Sequence, residues 1–410
     1  MPLVVYILGL TIFSLATSEF MVAGMMSSLT QAFGVSVTQI GHLISLYAIG
    51  MVVGGPLLTV GLIRLRVPNK KALLWLLGFY AIAQSVAASA TSYELMAIAR
   101  VATGVAGSAC FGVSLAICAE IVGMESRGRA ASIVIGGLML ATVLGVPIAT
   151  VIDQYWGWRA SFWLVVVLAV LCAGVVTFMV PHARASATIS LGAELAEFKN
   201  RNLWAAFATS GLIIGATFAA FSYFAPILTE VTGFAASSIP WLLGVYGAAN
   251  VVGNMVVGRY ADRHAMRIMA WGLIVLGAAL ALFAVFAQSQ ILSLAALISI
   301  GLVGVPMNPA MIARVMQTAH PGALVNTVHT SVINIGLGVG AWIGGLGIAA
   351  GYGVRSPLWV GAGLAMLGLL SLLPYLGRNA RDTRSVATIA KDQNPSPSLG
   401  SASDFVSGRR

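Results

Sequence analysis

Residues 3–24 read LVVYILGLTIFSLATSEFMVAG, and this stretch decides the class of fold. A helix that crosses a bilayer needs about 20 predominantly apolar residues, and this run supplies them with one charged side chain, Glu19. The rest of the chain, to about residue 376, divides in the same way. The twelve predicted segments are Leu3–Gly24, Ile40–Leu62, Ala72–Ala90, Leu95–Cys118, Ala130–Ile152, Phe162–Val180, Leu203–Leu228, Ile239–Val257, Ile268–Ala287, Leu292–Ala313, Thr327–Ala350 and Leu358–Leu376.

The composition supports an all-α integral membrane protein. Hydrophobic residues make up 59% of the chain, charged residues 8%, and the mean hydropathy is +0.94. A soluble domain carries about 25% charged residues. Membrane β-barrel strands show alternation over about 10 residues, which these runs lack. The first run has no basic region before it, so we read it as a span and not as a cleaved signal peptide.

The formal charge of +10 is a topology signal and does not indicate nucleic-acid binding. Nearly all Lys and Arg residues, Arg314 among them, fall on the side of the membrane that holds both termini. Arg159 and Arg355 alone fall on the other side. Cytoplasmic connections carry the excess of Lys and Arg, so both termini are predicted to be cytoplasmic.

A polar connection divides the segments six and six. We predict an N-terminal bundle over residues 1–180 and a C-terminal bundle over 203–376. The connection 181–202 is either a short amphipathic surface helix or a solvated linker, and residues 377–410 are predicted to form a disordered cytoplasmic tail. A repeat at an offset of 197 residues supports this division. It relates Gly50 to Gly247, Gly61 to Gly258 and Arg66 to Arg263.

Several motifs resemble the major facilitator superfamily, in its twelve-span drug:proton antiporter branch. The loop motif G-x-x-x-D-R is intact at Gly258, Asp262 and Arg263, whereas Leu65 replaces the Asp in the first half. The fourth segment has R-x-x-x-G at Arg100 and Gly104. A fifth-segment antiporter motif is matched in part. Its matching residues are Gly137, Gly145 and Pro147.

The phrases TSEFM at 17–21 and GWRASFW at 157–163 are similar to those of bacterial chloramphenicol exporters. The resemblance implies two six-helix halves in the inner membrane of a bacterium and a functional monomer. It also implies gating roles for the loop and fifth-segment residues. These are Gly61, Arg66, Gly137, Gly145, Pro147, Gly258, Asp262 and Arg263.

Glu19 and Arg100 are the charged residues that we place deep inside apolar segments. Each is five or six residues from the outer end of its segment, which puts both about 8–9 Å below the same membrane boundary. A charged group at the bilayer centre costs about 2.5–3.5 kcal/mol on insertion scales, so such residues are candidates for function. We predict that Glu19 carries protons from a water-filled cavity and that Arg100 is its partner. A salt bridge that only fixes helix packing is the alternative.

Candidate substrate contacts are aromatic and amide residues at mid-segment depth. They are Phe218, Phe221, Tyr223, Tyr246, Asn308 and Asn334. Few polar groups among apolar ones suit a small amphiphilic ligand. The three cysteines, Cys110, Cys118 and Cys172, lie in apolar runs without metal-ligand spacing, so we predict no metal site.

The predicted function is proton-driven export of small amphiphilic compounds, most of all drugs such as phenicols. A sugar or nucleoside exporter is the alternative, since such proteins share these motifs. An enzyme would need clustered His, Asp, Glu or Cys at membrane depth, and a channel would not need two repeated halves. The sequence has no G-x-x-x-x-G-K-[ST] loop for ATP, so we expect a gradient as the energy source and no cofactor.

Overall fold

The computed structural model describes residues 1–65, 67–122, 127–180, 198–318 and 323–392, with the backbone alone at a few helical positions within them. This part of the chain is helical and contains no strand. Twelve of its helices are long and apolar enough to cross a membrane. The predicted all-α integral membrane fold is therefore confirmed.

We number the membrane-crossing helices as spans 1 to 12. Spans 1 to 6 are Leu3–Gly24, Val37–Arg64, Asn69–Ala88, Tyr93–Ile121, Arg127–Leu140 continued by Val146–Trp156, and Trp158–Met179. Span 7 is Arg201–Phe221, and spans 8 and 9 are the two parts of the helix Ile239–Val285. Spans 10 to 12 are Gln290–Val303 continued by Asn308–Thr318, Ala323–Ala349 and Ser356–Asp392.

Four irregularities interrupt these spans, and the sequence reading did not predict them. Spans 5, 7 and 10 contain or adjoin the short π or 3₁₀ segments Ala141–Gly145, Ile227–Val231 and Val305–Met307. A proline lies in or beside each, at positions 147, 226 and 306, and proline cannot make the helical i→i−4 hydrogen bond. Spans 8 and 9 bend at His264, whose φ is −131°.

The bundle has two sides, which we name by the position of the chain termini. The termini side holds Leu3 and Leu376, and the far side holds Gly24 and Ala349. A short helix that the sequence reading missed, Met26–Phe33, lies on the far side between spans 1 and 2. Span 12 continues to Asp392, beyond its predicted end at Leu376. Residues 181–197 and 393–410, which hold most of the predicted loop and the end of the tail, lie outside the described residues.

Glycines bring two helices into close contact in each half. In the C-terminal half, a Cβ added at Gly340 would lie 2.3 Å from the carbonyl oxygen of Gly215, so only glycine fits there. In the N-terminal half, a Cβ at Gly137 would lie 2.1 Å from the Gly9 carbonyl oxygen. Small residues extend both contacts, at i and i+8 between spans 1 and 5 and at i, i+4 and i+8 between spans 7 and 11. The pairs are Gly9–Gly137 and Thr17–Gly145 for spans 1 and 5, and Gly211–Gly336, Gly215–Gly340 and Ala219–Gly344 for spans 7 and 11.

Hydrogen bonds join the two halves in the far-side part of the bundle. The Thr38 hydroxyl donates to the Gly345 carbonyl at 3.1 Å, and the Ser45 hydroxyl donates to the Gly338 carbonyl at 2.8 Å. The Gln154 amide donates to the Ala236 carbonyl at 2.6 Å. Spans 2 and 11 are therefore held together directly, and the far side is closed.

Candidate functional site

Arg100 is the centre of a buried polar cluster in the N-terminal half. The side chain is fully buried, at 0% exposure. Its guanidinium donates to the backbone carbonyls of Ser18 at 2.8 Å and Glu19 at 3.1 Å, and to that of Leu43 at 3.4 Å. Arg100 thus bridges spans 1, 2 and 4; the equal depth of Glu19 and Arg100 allowed a contact between spans 1 and 4 and did not indicate span 2. The contact with Glu19 runs through its main chain.

Aromatic and amide side chains complete this cluster. The Arg100 guanidinium carbon lies 4.3 Å from the ring centroid of Tyr47, a cation–π contact. Ser18 donates its hydroxyl to the side-chain oxygen of Gln84 at 3.0 Å, which adds span 3 to the cluster. A guanidinium with several acceptors and a stacked ring keeps its charge at a far lower cost than a bare ion would.

Glu19 is buried as well, at 5% exposure, within electrostatic reach of Arg100, Tyr47 and Tyr80. The next residue along span 1, Phe20, points to the interface between the halves. The sequence reading expected Glu19 to face a water-filled cavity. In the far-side-closed arrangement, Phe20 and not Glu19 lines the cavity between the halves.

That cavity lies between spans 1, 5, 7, 8 and 10. Its volume is about 20 Å³, enough for roughly one water molecule. Three of the predicted substrate residues line it, Phe218, Phe221 and Tyr246. Phe20 packs on two of these rings, with centroid distances of 5.7 Å to Phe218 and 6.3 Å to Phe221. The full lining is Phe20, Leu138, Met139, Thr142, Phe218, Phe221, Tyr246, Asn250 and Val305.

The other predicted substrate residues lie elsewhere. The Tyr223 hydroxyl donates to the Ala341 carbonyl at 3.0 Å and packs at Gly41 of the opposite half, so this residue belongs to the far-side closure. Asn334 lines a groove between spans 2 and 11. The side-chain oxygen of Asn308 is buried without a hydrogen-bond partner among the described residues. Depth along a helix did not reveal which way these side chains point.

The predicted gating residues fall into two groups. Gly137 and Gly145 pack span 5 against span 1, and Pro147 begins the far-side part of span 5 close to Gly244 of span 8. On the termini side, Gly61 and Gly258 have open space where a Cβ would be, and Arg263 is exposed. Arg66 and the side chain of Asp262 lie outside the described residues.

The sequence reading missed three further buried charges. Arg314, which it placed on a solvated segment end, is 5% exposed in span 10, and its guanidinium carbon lies 5.2 Å from the Tyr375 ring. Asp153 accepts the hydroxyl of Ser28 at 2.7 Å, and Lys70 is also buried. Each lies within a few residues of a helix end, where charges are usually solvated. Packed neighbours, which the pattern does not reveal, cover them here.

No cavity role was predicted for Phe20, although it lies in the phrase TSEFM at 17–21, or for Asn250, which no motif marks. Asn250 lies in the cavity with its amide next to the Tyr246 hydroxyl, and neither buried amide atom makes a hydrogen bond of ordinary geometry in the described part of the chain. An amide left unsatisfied in this way is available to a ligand.

Comparisons with known proteins identify the family. The profile of the Major Facilitator Superfamily matches residues 8–330. A chloramphenicol resistance protein of Streptomyces lividans is 30% identical over 380 residues, which cover 92% of this chain and 96% of the relative. The putative transporter AraJ of Escherichia coli (strain K12) is also 30% identical, over 94% of this chain and 99% of its own length.

Solved structures agree on the fold. A bacterial homolog of the human lysosomal transporter Spinster, in an inward-facing and occupied conformation, superposes with a TM-score of 0.72 at 15% identity, covering 90% of this chain and 95% of that one. The nucleoside transporter NupG gives 0.72 at 15% identity, over 91% and 98%. The chain belongs to the major facilitator superfamily. It is a multi-pass membrane transporter and not an enzyme.

Proposed function

We propose that the protein exports small amphiphilic compounds, drugs such as phenicols among them, in exchange for protons by alternating access. It would act as a monomer in a bacterial inner membrane with both termini in the cytoplasm. The observation that carries the proposal is the pair of neighbours Glu19 and Phe20. The first is buried beside Arg100, and the second forms a wall of the cavity between the halves.

This arrangement links protonation to movement of span 1. An ionised Glu19 is held in the N-terminal half by the positive charge of Arg100, whereas a neutral one is held less strongly. Because Phe20 is the next residue on the same helix, a shift of span 1 toward or away from Arg100 also moves the cavity wall. Substrate and proton then bias the same equilibrium between two arrangements, which is what coupling requires.

The cavity lining supports an amphiphilic substrate. Four aromatic rings offer stacking surface, and few polar groups interrupt it. The present volume of about 20 Å³ is far below the 300–1,000 Å³ of a drug site, so the site must widen when the halves rock. The relative from Streptomyces lividans, a chloramphenicol resistance protein, supports phenicols as first candidates.

An exporter of nucleosides or sugars is the second candidate, and the cavity itself supports it. Asn250, Tyr246 and Thr142 all line the cavity, and Asn250 has an unsatisfied amide. A nucleoside base offers donors and acceptors for such groups. NupG, one of the structural neighbours, is a nucleoside transporter.

We assign gating to the two groups of residues named above. Gly61, Arg66, Gly258, Asp262 and Arg263 would latch the termini side when the far side opens. Leu65 replaces the acidic residue of this motif in the first half, so the acidic side chain of the latch would come from the second half alone. Gly137, Gly145 and Pro147 would keep spans 1 and 5 tightly packed against proton leak.

Growth inhibition in an efflux-deficient host tests the substrate. Wild-type protein is expected to protect against at least one phenicol or lipophilic dye, and less against nucleoside or sugar analogues. Glu19→Gln, which keeps the shape and removes the titratable group, should abolish protection at unchanged abundance in the membrane. The matched control is Glu94→Gln, an exposed residue at the far-side end of span 4, and it should protect like the wild type.

Reconstituted vesicles test the coupling. Addition of the substrate should release protons from wild-type protein, as a pH-sensitive dye reports, and should release none from Glu19→Gln. Protection by Glu19→Gln, or proton release from it, would show that Glu19 is not the coupling group. Protection against nucleoside analogues alone would replace drug export by the second candidate.

A further inference from the structure

A space next to the closed interface lies on the outside of the bundle. It is a groove of about 430 Å³ between span 2 of the N-terminal half and span 11 of the C-terminal half. Its walls are aliphatic and aromatic, and five of the lining side chains are well exposed, with no described residue covering them. These are Ile49, Val53, Ile335, Val339 and Trp342.

The groove also has a polar end. His42 and Tyr93 lie near the far side, and Nε2 of His42 is buried without a hydrogen-bond partner among the described residues. The Tyr93 hydroxyl donates a hydrogen bond to the Gln39 carbonyl at 2.9 Å, so it is not free for a ligand. An orphaned imidazole nitrogen at the mouth of an apolar groove suits an occupant with a polar head and an apolar body.

The length and depth of the groove indicate which kind of amphiphile fits it. His42 and Val53 are eleven residues apart on span 2, which is about 16 Å along the helix axis. One leaflet of the hydrocarbon core is about 15 Å thick. His42 is five residues from the far-side end of span 2, about 8 Å below it. Span 2 has 28 residues and is about 42 Å long, so when centred on a hydrocarbon core of about 30 Å it extends about 6 Å beyond the core on each side. The groove therefore runs from near the far-side boundary of the core to slightly past the bilayer midplane.

We propose that this groove is a binding site for one acyl chain of a phospholipid from the far-side leaflet, with the ester region of the lipid next to His42. The site is separate from the cavity between the halves and does not depend on the proposed export function. Its floor is the hydrogen bond from Ser45 to the Gly338 carbonyl, at 2.8 Å, so the two halves build it together.

The test uses wild-type protein in vesicles of phosphatidylethanolamine and phosphatidylglycerol. These contain a trace of phosphatidylethanolamine with a photoreactive diazirine halfway along one acyl chain. After irradiation, the labelled peptides are expected to come mainly from spans 2 and 11. Ile335→Trp should fill the groove and lower this labelling several-fold. Val275→Trp, on the lipid-facing surface of span 9, should leave it unchanged.

Three results would overturn the proposal. They are labelling spread evenly over all exposed spans, groove labelling that survives Ile335→Trp, and labelling displaced by chloramphenicol but not by unlabelled phospholipid. The third would make the groove a path for substrate. His42→Leu gives a milder second check, since it keeps the apolar walls and removes the polar end, and reduced labelling is expected. None of these measurements requires transport.

Discussion

The two halves share a scaffold and differ in chemistry. Arg100 of span 4 corresponds at the repeat offset of 197 to position 297 of span 10, which is a leucine. Both side chains are fully buried. Around Arg100 the N-terminal half gathers a carboxyl group, hydroxyls and an amide. In the C-terminal half, span 7 instead brings aromatic rings against Tyr246.

Packing is what the halves have in common. Spans 1 and 5 meet through small residues eight positions apart, and spans 7 and 11 through small residues four positions apart. Close backbone approach is thus kept in both halves, while the buried cluster around Arg100, with its carboxyl, hydroxyl and amide neighbours, belongs to the N-terminal half. Under the proposed function, this difference would assign proton handling to the N-terminal half, while five of the nine residues that line the cavity belong to the C-terminal half.

The largest effect is expected where the halves are alike. Gly340→Val and Gly137→Val each push a Cβ into a backbone oxygen that cannot move aside, so we expect losses of stability above about 3 kcal/mol and little folded protein. Size-exclusion chromatography of detergent extracts measures the folded yield. Gly258→Val is the control, because its Cβ would meet open space. A severe loss of folded yield in only one of the two variants would disprove that both halves depend on the same close packing at glycine.

The next effect should be confined to the N-terminal half. Arg100→Lys keeps the charge, but an ammonium group cannot replace the fork that reaches three carbonyls and stacks on Tyr47. We expect a loss of about 3 kcal/mol in thermal unfolding, together with loss of transport. Leu297→Met, a swap of similar volume at the equivalent position, should cost less than about 1.5 kcal/mol. Equal melting temperatures for the two variants would refute the idea that the buried polar cluster at Arg100 stabilises its half more than the apolar packing at Leu297 stabilises the other.

A third experiment separates the effect of a substitution on substrate affinity from its effect on proton release. Phe221→Leu removes a ring from the cavity wall at nearly constant shape, so we expect about a tenfold weaker substrate affinity, or about 1.4 kcal/mol. Protons released per substrate bound should stay unchanged. Phe286→Leu, an exposed ring at the end of span 9, should change neither. A changed proton count in Phe221→Leu would mean that the halves do not divide the work as we propose.

The smallest effect concerns Asn250, the unsatisfied amide of the cavity. Asn250→Leu removes a buried polar group that makes no hydrogen bond of ordinary geometry among the described residues, so stability should be unchanged or rise by about 1 kcal/mol. Protection against lipophilic drugs should persist. Asn254→Leu, one turn along the same helix and half-buried, is the control for the swap itself. Loss of all protection in Asn250→Leu alone would favour a polar substrate.

Much of the fold could be predicted because bilayer thickness translates directly into sequence length. Span 1 begins and ends where the apolar run predicted, at Leu3 and Gly24. The rise per residue also gave the common depth of Glu19 and Arg100, and the structure brings them together. The depth of a residue below the membrane boundary follows from the number of residues along its own helix, so it can be counted from the sequence of that helix alone.

Tertiary structure alone decided which way each side chain faces. Phe20 and Asn250 reach the cavity because spans 1 and 8 are rotated by contacts with their neighbours, while Asn334 is turned toward the groove with span 2. Arg314 became buried because Tyr375, distant in the chain, covers it. Rotation about a helix axis and position in the membrane plane depend on contacts between distant segments. An apolar run therefore determines that a helix spans the bilayer, and packing determines what it presents to the site.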